Sequence, residues 1–114
     1  MSALDATVTL FERANRPRGR HSDVTLRDVA AAVGGHQYAA AVAAVRAEPD
    51  RDRRKALKLD TLPALAPSGR FSERTAAGLV EHSGVVVIDL DDAPDLGALL
   101  ADVQARPYVL AAFV

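Results

Sequence analysis

Gly84-Val85-Val86-Val87-Ile88-Asp89-Leu90-Asp91-Asp92 is the stretch that sets the reading of the whole chain. Four consecutive β-branched residues run into two carboxylates spaced i, i+2. Such a run is expected to form a buried strand. Side chains alternate faces along a strand, so Asp89 and Asp91 would share one. Paired carboxylates repel and raise each other's pKa unless a cation lies between them. A hard divalent ion, Mg²⁺ or Mn²⁺, suits such an oxygen pair. The plainer reading is that the strand ends at Asp91 and Asp92 caps the next helix.

At 114 residues the chain fits one small domain, residues 1–114. Hydrophobic residues make up 49% but aromatics only 4%, so Ala, Val and Leu must fill the core. A net charge of −1 argues against bulk electrostatic binding of nucleic acid, though not against a local basic patch. Without cysteine there is no disulfide or thiolate chemistry. The opening Met1–Ala14 has no basic segment followed by a long apolar one, as a secretory leader would. No apolar run approaches membrane-spanning length. A soluble, cytoplasmic protein with no membrane partner is expected.

Upstream, Thr7–Phe11 is predicted as a first strand, followed by the broken basic loop Arg16-Pro17-Arg18-Gly19-Arg20. That loop is either solvated or a phosphate contact. Thr25 is an N-cap and Asp28 the acid of a capping box, so a helix starts there, and Gly34-Gly35 ends it. A second helix is expected over Gln37–Ala47, stopped by Pro49. Asp50 caps a third, charged segment, Arg51–Lys58, which also reads as a solvated helix with i, i+4 ion pairs. Thr61–Pro67 carries two prolines, confining it to a sheet edge or a loop, and Ser68–Phe71 reads as a turn.

Downstream, Pro94 is expected in the first turn of a helix whose apolar face is Leu96, Leu99, Leu100 and Val103. Pro107 stops it, and Tyr108–Val114 is predicted as a final apolar strand. A chain that stops inside such a strand is expected to be the front part of a longer domain. Its unpaired edge would favour self-association.

A strand, a DxD and a helix serve two chemistries. One is metal-assisted phosphoryl or nucleotidyl transfer. The other is haloacid-dehalogenase-type phosphatase chemistry, with the first Asp as nucleophile. The latter expects Thr or Val two residues after the second Asp, where this chain has Ala93, and only 23 residues follow Asp91.

Three ordered stretches carry a resemblance: Lys58–Arg74, containing Leu62-Pro63-Ala64 and Pro67-Ser68-Gly69; Leu79–Gly84, containing His82-Ser83-Gly84; and Val87–Asp91. Together they resemble the N-terminal domain of virulence-associated-E-like, primase-type proteins of phages and mobile elements. That domain is similar to the archaeo-eukaryotic primase core. The resemblance implies an α/β (α+β) fold with an RRM-like sheet, helices packed on it, and the DxD at the end of a central strand. It implies a role in DNA replication of a mobile element or prophage, with Asp89 and Asp91 as the catalytic metal pair for Mg²⁺ or Mn²⁺. Lys58, Arg70, Arg74 and His82 would contact nucleotide or single-stranded nucleic acid, against structural roles for each. A helicase domain would accompany it in a parent protein. The family's later Ser/Gly-rich segment, its nucleotide-contacting His and its further acid have no counterpart in these residues. The chain is therefore expected to be inactive alone, or to be a non-catalytic binding module on the same fold.

Overall fold

The computed structural model describes residues 2–112. Strand β1 (Thr7–Phe11) lies at the centre of a three-stranded antiparallel sheet of order β2-β1-β3. Strand β2 (His21–Thr25) pairs along its whole length, from Thr7 opposite Thr25 to Phe11 opposite His21. Strand β3 (Ala64–Ala66) takes the other edge, with Phe11 opposite Ala64. The proline-flanked segment is thus an edge strand, as expected of a stretch with missing donors.

Val8 and Thr9 point to opposite faces of β1, yet both are fully buried. A strand covered on both sides needs no polar/apolar alternation. Phe11 and Ala66 complete a small core. Thr9 is satisfied there: its hydroxyl donates to Asp23 Oδ1 at 3.1 Å and accepts the Phe71 N–H at 2.8 Å. That second bond brings a two-stranded hairpin, β4 (Gly69–Phe71) and β5 (Leu79–His82), against β1. Ser68–Phe71 is therefore not simply a turn, because the turn falls at Pro67-Ser68 and β4 follows it.

Helix α1 (Leu26–Gly34) begins with the expected capping box: Thr25 Oγ1 accepts from Asp28 N, and Asp28 Oδ2 accepts from Thr25 N. Gly35 terminates it, but the left-handed residue is His36, with φ of 60°. Helix α2 (Ala39–Ala47) starts two residues later than expected, without a side-chain cap. Helix α3 (Arg51–Thr61) starts on the Asp50 cap and runs three residues beyond the expected end. Helix α4 (Leu96–Gln104) is capped by Asp95, whose Oδ1 accepts from Ala98 N. Pro94 accordingly precedes the cap and does not occupy the first turn. Leu99, Leu100 and Val103 are half-buried, while Leu96 is exposed.

Two expected strands are corrected. Residues 84–92 form no strand, and the central strand is β1. Val86 is 82% exposed and Ile88 76%. β-Branched side chains favour extended backbone, but a strand also needs a neighbour. Both edges of β1 are already taken, and Gly84 (φ 78°) turns the chain away at the end of β5. The DxD therefore does not end a central strand, and the sheets are not an RRM-like arrangement. Residues 108–112 form no strand either, and the rest of that expected strand, 113–114, lies outside the described residues. The fold is a small α+β arrangement of antiparallel sheets and helices. No helix among the described residues is long and apolar enough to cross a membrane.

Candidate functional site

The two motif stretches around Ser68 and His82 meet across the β4–β5 hairpin. Ser83 donates its N–H to Ser68 O at 2.7 Å and its hydroxyl to Pro67 O at 2.6 Å. The same hydroxyl accepts from Val85 N at 3.1 Å. His82 Nδ1 accepts from Gly84 N at 2.9 Å, so this nitrogen carries the lone pair. Gly69 lies opposite His82, and a Cβ there would stand 1.9 Å from Glu81 O. Only glycine permits that approach. These residues aim the chain out of the hairpin toward Val85–Asp92.

Asp89, Asp91 and Asp92 are exposed, and Asp92 sits in the left-handed region, with φ of 58°. None of the three forms an ion pair among the described residues. No ladder enforces a common face for Asp89 and Asp91, and no group of three or more potential metal-ligating side chains occurs among the described residues. The pair alone offers too few ligands for tight binding of a divalent ion.

The basic candidates sit elsewhere, and Arg70 and Arg74 make contacts within the fold. Arg70, on β4, lies 3.9 Å from Asp23 of β2 and 3.7 Å from Glu81 of β5. With Thr9 bonded to Asp23, it extends a polar chain linking both sheets. Arg74 clamps the β1–β2 loop: its N–H donates to Pro17 O at 2.8 Å, and its guanidinium donates to Ala14 O. In the same loop Arg18 bonds Glu73 at 2.8 Å, which holds the Glu73 carboxyl below its ordinary range, helped by Thr75. Lys58 is exposed on α3, and His82 is engaged in its own turn.

Charge is segregated along the chain. Of the 14 Lys and Arg, none falls between Thr75 and Ala105, where Glu81, Asp89, Asp91, Asp92, Asp95 and Asp102 all lie. Four of the twelve arginines, Arg13, Arg16, Arg18 and Arg20, lie in the β1–β2 loop, and Arg51, Arg53 and Arg54 lie in α3. Arg13 and Arg20 line a cleft of about 310 Å³ with Leu10, His21, Tyr38 and Pro63. Both also line a neighbouring cleft of about 480 Å³, together with Arg16, Asn15 and Asp60. Reading the sequence singled out Arg16, Arg18 and Arg20 of this loop but missed Arg13, His21 and Tyr38, because nothing local to them signals that these separate stretches line one cleft.

Residues 57–114 match the family described as BT4734-like, N-terminal domain. This is just over half of the chain, and the chain belongs to that family. The match runs from within α3 through both hairpin strands, the Asp89–Asp92 segment and α4. It corrects the expected virulence-associated-E-like, primase-type membership: the matching family bears a different name, which specifies no activity. No curated protein and no solved structure matches the chain.

Proposed function

We propose that the chain supplies the first metal-holding element of a nucleotidyl-transfer domain, of the primer-making or template-copying kind, in replication. The observation that carries this is Asp89 and Asp91: two carboxylates at i, i+2, exposed, free of ion pairs among the described residues, and set in a segment without any Lys or Arg. Charge of one sign on a surface raises the local concentration of its counter-ion. In this reading Asp89 and Asp91 would hold a Mg²⁺ or Mn²⁺ ion, which would supply Lewis-acid chemistry for phosphoryl transfer. The protein's own task is to present the two carboxylates, and the Ser83 lock directs the segment that bears them.

Two carboxylates do not make a complete centre, since positioned donors for a triphosphate and further ligands are also required. The reading therefore has the chain inactive by itself and active only with groups supplied from outside it. The test has two arms. Mn²⁺ titration followed by paramagnetic NMR broadening is expected to reach amides 88–92 first; broadening spread evenly over all acidic residues overturns the metal site. A primer-synthesis assay with labelled nucleotides is expected to give no product from this chain alone. Product that disappears in Asp89→Ala would place a whole active site within these residues.

The second reading, a non-catalytic binding module, is favoured by the absence of a third ligand among the described residues. A chain that binds nucleic acid identically with and without Mn²⁺ would fit it.

A further inference from the structure

We infer that the double cleft at the loop end of the β1–β2 hairpin is a binding site for a nucleoside phosphate. It is separate in its residues from Asp89 and Asp91 and does not depend on them. The two clefts share Glu12, Arg13 and Arg20, so these residues border both. On one side the lining includes Leu10, Pro63, Tyr38 and His21, with Ser22 and Thr61. On the other it is polar, with Arg16 and Asn15. A ligand with a flat, weakly polar part and an adjoining anion matches that division. Bases stack on aromatic and guanidinium faces, and phosphate oxygens take the planar guanidinium fork.

The arginines are available for this. Arg13 spends one Nη1 bond on its neighbour's carbonyl, Glu12 O, at 2.7 Å, and has no carboxylate partner among the described residues. Arg20 stands 3.8 Å from Glu12 and is 89% exposed, an ion pair that water screens. Arg16 has no ion pair among the described residues. Glu12 discriminates against a bare anion, which it repels, and in favour of a ligand that also brings sugar hydroxyls for it to accept. Asp60 is already held by Asn15 Nδ2 at 2.6 Å. The volumes fall in the range of small-ligand sites, roughly 300–1,000 Å³. The His21 ring is braced from behind, its centroid 5.3 Å from that of buried Phe11 and its Nδ1 3.2 Å from Gly19 O.

The experiment is an NMR titration of the full chain in EDTA with adenosine 5′-phosphate, inorganic phosphate, adenosine, and a short single-stranded oligonucleotide. Saturable shifts are expected at Arg13, Arg20, His21 and Tyr38 with the nucleotide, at least tenfold tighter than with phosphate or adenosine alone. Arg20→Gln, on an exposed side chain, is expected to weaken binding about tenfold with the spectrum otherwise preserved. Tighter binding of the oligonucleotide identifies a unit of single strand as the ligand, and tighter binding of the monomer identifies a free nucleotide. Phosphate binding as well as the nucleotide, or shifts scattered over all arginines, overturns the site. Because EDTA removes divalent ions, a failure here leaves the metal reading of Asp89 and Asp91 standing, and the reverse holds as well.

Discussion

The buried hydroxyl of Thr9 accepts the main-chain N–H of Phe71 at 2.8 Å, and through this bond the hairpin is fastened to the three-stranded sheet. The same hydroxyl donates to Asp23, so one side chain of β1 serves both β2 and β4. Thr9→Val keeps the shape but leaves the Phe71 donor without its partner. A loss of about 1–3 kcal/mol is expected, the cost of an unsatisfied group at a part-buried site. Urea denaturation measures it, and a midpoint equal to the parent's would show that Phe71 finds another acceptor.

Gly69→Ala is expected to destabilise the hairpin by about 1–3 kcal/mol, as overpacking does. The new methyl would meet Glu81 O at 1.9 Å, and β4 and β5 would have to part. Amide exchange should quicken at Arg70, Glu81 and His82 before it does in β1. Uniform acceleration would point to global unfolding instead.

Asp89→Asn is expected to leave stability within about 0.5 kcal/mol of the parent, since surface changes away from structural features do little. Asp89 is exposed and unpaired among the described residues. The same change should abolish selective Mn²⁺ broadening at residues 88–92. A large loss of stability would assign Asp89 a structural role.

Acidification should weaken the tie between the β1–β2 loop and the hairpin. The Arg18 hydrogen bond depresses the Glu73 carboxyl in the folded chain. A depressed carboxylate adds stability above its unfolded pKa, about 4.3, and loses it as pH falls through the lower folded value. The Asp5–Arg27 pair, which lowers Asp5, acts with the same sign. Glu73→Gln should flatten the fall in thermal midpoint below about pH 4.3. An unchanged slope would mean that solvent screens the pair fully.

Self-association is expected as concentration rises, and it should run through residues 85–90. Val86, Val87, Ile88 and Leu90 are all more than half exposed in sequence proximity. Contiguous apolar surface without a partner is adhesive. Val86→Lys should lower the weight-average mass seen in sedimentation equilibrium; a parent that stays monomeric at high concentration would remove the basis for this expectation.

What could be read before folding was whatever is decided locally. Thr25 and Asp28 cap each other three residues apart, and Asp50 bonds Arg53 N, so both helix starts are written in adjacent residues. β1 was legible from its β-branched run. Val85–Ile88 looks the same by composition but differs in fate, because pairing depends on where other strands lie. The same limit hid the site: Arg13 and Arg20 meet Tyr38 and Pro63 only after β1, β2 and the helices are assembled. Arg70 and Arg74 were found as cations, but their partners, Asp23, Glu81 and the loop carbonyls, are distant in sequence.

The Gly69 contact also has a genetic meaning. It is main chain against main chain, so its closeness is the same whatever side chain stands at position 81. A clash between two side chains is relieved by trimming either one, but no second-site change at Glu81 can make room for a Cβ at position 69. Suppressor screens starting from Gly69→Ala should therefore return true revertants, or changes that stabilise the fold from afar, and no local compensator at position 81.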